Sequence, residues 1–247
     1  MELSNGPEVT VGALQQMKRD GRKIVCVVAW DYQIAQIADR AGVDMVSVGD
    51  SVGMNLWGQA TESEITMDEF LVVCKAVRKG VKRALLSCDI PSGPVDAGLD
   101  ATLAAAHRLV DEAGADMVKV LGDASLVRAI VAAGIPVIAE FHGEALGASQ
   151  LADEAKRLQD AGASLLNFRH SGPVAGPAVV SAVTIPVIGG LGGGPWLDGR
   201  VRMAHAAIGY AASAIGKPAG YANVATTTLD ALVALTADVR AARQIKS

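Results

Sequence analysis

Several ionisable side chains stand where runs of apolar residues stop. "MVSVGDS" ends on Asp50 with Ser51 behind it, and "RALLSCDI" ends on Asp89. "ADMVKVLGD" carries Lys119 inside the run and Asp123 after it, and Trp30 and Asp31 close "IVCVVAWD". "VIAEFH" brings Glu140 and His142, and "LLNFRH" brings Asn167, Arg169 and His170. A carboxylate in such a place can cap the next helix, which is the better reading of Asp31 and Asp123, each just ahead of a helical pattern. Asp50 has no helical pattern behind it until Thr66, and Asp89 runs into "IPSGP", which cannot start a helix at once. Two carboxylates facing one space repel unless a cation lies between them or one is protonated. Oxygen ligands without paired Cys or His favour Mg²⁺, or another divalent cation of that kind, over Zn²⁺. Lys119 in an apolar run is costly unless paired. Its options are a salt bridge with Asp50 or Asp89, or a Schiff base with a carbonyl substrate. Glu140 and His142, two residues apart, share a face if the strand continues that far, and either type of side chain moves protons.

These residues need a scaffold that gathers strand ends. One phrase recurs, as "RAGVDMVSVGD", "EAGADMVKVLGD", "AAGIPVIAEF", "DAGASLLNFR" and "VTIPVIGGL". In the first four a helical pattern stops at Gly42, Gly114, Gly134 or Gly162, the left-handed stop that helix C-termini favour, and an apolar run follows. Runs that are apolar throughout are those of parallel strands covered on both faces. "DYQIAQIADRAG", "TMDEFLVVCKAVRKG", "LDATLAAAHRLVDEAG" and "SQLADEAKRLQDAG" are amphipathic at helical spacing, and Thr66 with Glu69 forms a capping box at the head of the second. Strands are expected near 23–29, 45–50, 83–89, 117–122, 136–141, 164–169 and 186–191, with a faint eighth near Val201–Met203. Strict strand–helix alternation gives a parallel sheet. So many units in 247 residues give a closed (β/α)8 TIM barrel, one domain over 1–247. Val11–Asp20 is expected as an N-terminal helix capping the barrel and Thr226–Gln244 as the last helix. Chemistry in such barrels gathers at the C-terminal strand ends, where the residues above stand.

Composition narrows the partners. The net charge is −4 with no block of one sign, which argues against nucleic acid. No apolar run is long enough to span a bilayer, and the polar opening "MELSNGPEV" is no signal peptide. Cys26, Cys74 and Cys88 lack CxxC spacing and read as buried reduced thiols of a cytoplasmic protein. The run "GGLGGG", Gly189–Gly194, is either a phosphate cradle of the kind barrels build after strands seven and eight or a close-packed loop.

From Val9 to Glu140, and more weakly to Gly209, the chain resembles the ketopantoate hydroxymethyltransferase (3-methyl-2-oxobutanoate hydroxymethyltransferase) family of the phosphoenolpyruvate mutase/isocitrate lyase superfamily. The resemblance rests on "AWDYQIAQIADRAGVDMVSVGDSVGM", "RALLSCDIPSG", "AGADMVKV" and "TIPVIGGLGGG". It implies Mg²⁺ held by Asp50 and Asp89 and chelated by the keto and carboxylate oxygens of an α-keto acid. It also implies Ser51 and Lys119 on the substrate carboxylate and keto group, and an enolate that attacks a one-carbon unit from methylenetetrahydrofolate. A homo-oligomer is implied as well.

Three positions depart from the family pattern. Leu121 stands where the family has a metal-associated glutamate, Glu140 where it has a histidine, and Arg169 where it has the glutamate base. The mouth gains about two positive charges by these changes, with the histidine taken as neutral. Arg169 would suit a second carboxylate or a phosphoryl group, and proton transfer would fall to Glu140, the first choice, or His142, with His170 a weaker candidate. The first reading is a metal-dependent, aldolase-like carbon–carbon bond enzyme, a hydroxymethyltransferase relative of altered base and substrate. A lyase, mutase or hydrolase acting on a dicarboxylate or phosphonate is the second. A non-catalytic ligand- or partner-binding barrel is the third.

Overall fold

The computed structural model describes residues 6–143, 146–190 and 194–244. In chain order the elements are α1 (Val11–Arg19), β1 (Ile24–Val28), α2 (Tyr32–Arg40), β2 (Met45–Val48), α3 (Val52–Trp57), α4 (Met67–Gly80), β3 (Leu85–Asp89), α5 (Ser92–Asp96) and α6 (Leu99–Asp111). They continue with β4 (Met117–Leu121), α7 (Ala124–Ala132), β5 (Val137–His142), α8 (Ala148–Asp160), β6 (Leu165–Arg169), α9 (Ala175–Ala182), β7 (Val187–Gly189), β8 (Gly199–Met203), α10 (Ala204–Ile208) and α11 (Val224–Arg240). The eight strands close into a parallel barrel in sequence order, as the strand–helix alternation predicts. Contacts gather the chain into two compact units, Met1–Val201 and Arg202–Ser247.

In the first unit the sequence punctuation does what its chemistry dictates. Gly42, Gly114, Gly134 and Gly162 all have φ between 68° and 101°, the left-handed stop between helix and strand. Asp31 Oδ1 accepts from Ile34 N at 2.8 Å at the head of α2, and Asp123 accepts from Ser125 and Leu126 at the head of α7. The Thr66–Glu69 capping box opens α4. Side chains alternate along a strand, so the barrel lumen is filled in layers. Met45, Leu85, Met117, Ile138 and Leu165 form an apolar floor against Leu14 and Met17 of α1, which plugs the bottom. Each such buried side chain contributes roughly 1.5–3 kcal/mol. Two residues further up lie Ser47, Ser87, Lys119, Glu140 and Asn167, a polar layer with Ser87 Oγ donating to Ser47 Oγ at 2.9 Å. Above these come Gly49, Asp89, His142 and Arg169 at the rim.

Asp50 is followed at once by α3, where no helix was expected before Thr66. Six residues, "VGMNLW", are too few to show a helical period, and the turn stops at Gly58 with φ 68°. α5 likewise starts three residues after Asp89. The faint eighth strand is real and begins at Gly199. Its closeness to β1 is set by glycine, because a Cβ on Gly199 would lie 2.3 Å from the Ile24 carbonyl oxygen.

The second unit carries α10 and α11. Asn223 caps α11 by accepting from Thr226 N at 3.0 Å and donates to the carbonyls of Ala214 and Lys217. Ala225 is buried, while Leu229, Leu232, Val233, Leu235 and Val239 of the same helix are exposed. No helix among the described residues is long and apolar enough to cross a membrane.

Candidate functional site

The parallel register decides which side chains meet. Asp89 on β3 is level with Lys119 on β4, Glu140 on β5 with Asn167 on β6, and His142 with Arg169. Lys119 Nζ pairs with Asp89 Oδ2 at 2.8 Å and donates to Glu140 Oε2 at 3.0 Å. Of the partners open to Lys119 in the sequence it takes Asp89, and it adds Glu140. Asn167 Nδ2 donates to Glu140 Oε2 at 2.6 Å, and Arg169 Nη1 donates to Glu140 Oε1 at 3.0 Å. His142 Nε2 stands 3.7 Å from the same Oε1, so β5 runs far enough to put both on one face. The His142 and His170 rings have centroids 6.5 Å apart. His170 has φ 53°, a left-handed conformation that few residues other than glycine adopt.

Asp50 and Asp89 are not helix caps. Asp89 is buried at the end of β3, and its Oδ1 has no hydrogen-bond partner among the described residues. Gly49 holds the inward position at the end of β2, where a Cβ would sit 3.4 Å from Ser51 Oγ and 3.5 Å from Asp89 Oδ2. The missing side chain leaves a cradle between the serine and Asp89, with Val28 Cγ1 on its wall 3.8 Å from that Cβ position. Ser51 is the N-cap residue of α3 yet its side chain makes no capping hydrogen bond.

The electrostatics follow from burial and pairing. Burial pushes the Asp89 carboxyl up to about 7, with the Asp50 charge adding to the rise and Lys119 opposing it. Burial, then Glu62, raises Asp50. Burial works against the Lys119 charge, but Asp89 and Glu140 outweigh it and hold the ammonium well above its usual range. This pairing favours the charged ammonium over the neutral amine that a Schiff base would need. Burial also opposes ionisation of Glu140, and there Lys119 and Arg169 prevail, so its carboxyl lies below the usual range. The orphaned Asp89 oxygen, the Asp50 charge that raises its carboxyl, and the serine hydroxyl at the cradle fit a small divalent cation.

Sequence reading found every member of this cluster but not its wiring. It passed over Asn167 as a partner of Glu140 and the Ser47–Ser87 pair beneath the rim. Cys26, Cys74 and Cys88 are free and buried, and burial pushes the Cys26 thiol up to about 12. Half of the "GGLGGG" run, residues 191–193, lies outside the described residues.

The family model for ketopantoate hydroxymethyltransferase matches residues 8–143 and 140–244. The 3-methyl-2-oxobutanoate hydroxymethyltransferase of Geobacillus kaustophilus (strain HTA426) is 34% identical over 244 residues, covering 91% of this chain and 87% of that protein. Among solved structures, 2,3-dimethylmalate lyase of the PEP mutase/isocitrate lyase superfamily has a TM-score of 0.66 at 16% identity, over 94% of this chain and 89% of that one. Phosphonopyruvate hydrolase in complex with oxalate and Mg²⁺ has a TM-score of 0.65 at 17% identity, over 94% and 87%. At these identities the two structures share the fold.

Proposed function

The chain belongs to the ketopantoate hydroxymethyltransferase family, and from that premise we propose that it is a divalent-cation-dependent enzyme making or breaking a carbon–carbon bond beside the carbonyl of an α-keto acid. The observation that carries this is the orphaned, buried Oδ1 of Asp89 next to Asp50, with Lys119 2.8 Å from the other oxygen.

In this reading Asp50 and Asp89 hold Mg²⁺. The ion, when bound, supplies positive charge beside the keto oxygen and so acidifies the adjoining C–H. Lys119, kept charged by its two carboxylates, steadies the negative charge that develops on the keto oxygen during enolisation. Ser51 offers its hydroxyl to the substrate carboxylate. Glu140, the base favoured by sequence, has both oxygens engaged and a carboxyl held low, so it serves as counter-ion to Lys119 and Arg169. His142, with a side chain 37% exposed at the rim, takes the proton instead. The family's name speaks of hydroxymethyl transfer, and we propose methylenetetrahydrofolate as the one-carbon donor and a homo-oligomeric assembly.

The test is hydrogen exchange at C3. Incubated in deuterated water with saturating Mg²⁺, the enzyme should wash the C3 proton out of 3-methyl-2-oxobutanoate or a related α-keto acid, followed by proton NMR, and chelation should stop it. Absence of exchange across a panel of α-keto acids at saturating Mg²⁺ would overturn the reading. Product formation with added formaldehyde or methylenetetrahydrofolate then separates the transferase from a lyase built on the same site.

A further inference from the structure

Four side chains on four consecutive strands form one line of alternating charge. Asp89 of β3 pairs with Lys119 of β4 at 2.8 Å, Lys119 with Glu140 of β5 at 3.0 Å, and Glu140 with Arg169 of β6 at 3.0 Å. The two inner members have an opposite charge on each side. The two outer members have one each, and each ends in a buried atom without a hydrogen-bond partner among the described residues, Asp89 Oδ1 and Arg169 Nε. The line therefore ends in an acceptor that lacks a cation and a donor that lacks an anion. Both ends lie toward the same rim, and all four side chains stand at lumen-facing positions of their strands.

We infer that the substrate is a two-headed acid: an α-keto acid whose side chain ends in a second anionic group, held by Arg169. The inference rests on the keto-acid reading above and adds the distal end of that substrate. A guanidinium carries five N–H donors in a planar fork that matches a carboxylate or phosphoryl group. At Arg169 one nitrogen is spent on Glu140, and the side chain remains 29% exposed, open to a ligand at the mouth. Glu140 fixes the fork from the side facing Lys119, so an arriving anion meets a donor already oriented. His142 stands level with Arg169 across the β5–β6 pair and lines the approach with a ring that can donate. Three strand spacings along the register lead from Asp89 to Leu165, and Arg169 lies four residues further along β6, so the wall path from Asp89 to Arg169 is about 19 Å, which the inward-pointing side chains shorten. An acid with an apolar end would leave the exposed side of the guanidinium without an anion. Discrimination by an unpaired polar group is larger than that by a missing methylene.

Isothermal titration of the Mg²⁺-loaded protein tests this with matched pairs: 2-oxoglutarate against 2-oxopentanoate, 2-oxoadipate against 2-oxohexanoate. The better diacid should bind about 10- to 100-fold tighter than its partner, the worth of a hydrogen bond to a charged group. An arm with 2-oxo-4-phosphonobutanoate tells a carboxylate end from a phosphoryl end. In Arg169→Ala and Arg169→Lys the ratio within each pair should fall to near 1. If monoacids bind and the diacids bind no better, the second anionic head is wrong while the keto-acid reading stands. If neither class binds with Mg²⁺ present, both fail. Should the variants not fold, the wild-type ratio alone decides.

Discussion

Glu140 shows how a single residue changes role with its neighbours. Read as a strand-end carboxylate it looks like a base, yet it accepts from Lys119, Asn167 and Arg169 and stands 3.7 Å from His142. Burial alone would raise its pKa, and the two cations reverse that and bring it down. A carboxyl whose folded pKa lies below its unfolded value, about 4.3, contributes its full stability above that value. The contribution is lost as pH falls through the folded value. Glu140→Gln should therefore cost about 1–3 kcal/mol at pH 7, with a narrower gap to wild type at about pH 3. Urea unfolding at the two pH values measures it. An equal gap at both would mean that Glu140 acts through packing rather than charge.

At the level of elements, the barrel uses aspartates at both ends of its strands for opposite purposes. Asp44, just before β2, accepts from Val25 N at 2.9 Å. Asp116, just before β4, accepts from Leu86 N at 2.8 Å, and Asp198, just before β8, accepts from Val187 N at 2.8 Å. Each ties the entry of one strand to its neighbour at the bottom of the barrel, away from the rim. Asp44→Ala removes the charged acceptor of the part-buried Val25 N–H and should lower stability by about 1–3 kcal/mol, while keto-acid binding stays as in wild type. Thermal melts and titration of the same sample check the two parts. The strands themselves were legible because glycine stops and β-branched runs are local signals. α3 and α5 were not, since "VGMNLW" and "SGPVD" are shorter than the period that would reveal them. The bottom aspartates were passed over because "AGVDMV" and "AGADMV" read locally as plain loop-to-strand junctions.

For the whole molecule, the candidate site residues could be proposed from sequence because every one of them sits at or near a strand end. Their pairing could not, because it depends on barrel stagger: Lys119 is level with Ile138, and it reaches Glu140 two residues further along β5. The row Leu229, Leu232, Val233, Leu235 and Val239 on α11 bears on assembly, since so many exposed apolar residues on one helix suit burial against a second copy. In the proposed homo-oligomer, Leu232→Glu with Val233→Glu should reduce the mass seen by light scattering, and an unchanged mass would place the interface elsewhere. The central claim is that Asp50 and Asp89 together grip a divalent ion. Electron paramagnetic resonance of added Mn²⁺ measures this most directly. Wild type should hold one Mn²⁺ per chain, displaced by Mg²⁺, and Asp50→Asn and Asp89→Asn should each weaken it at least about 10- to 100-fold, the loss that even an outer partner of a metal ligand produces. No bound Mn²⁺ in wild type, or the same affinity in both folded variants, would contradict the account.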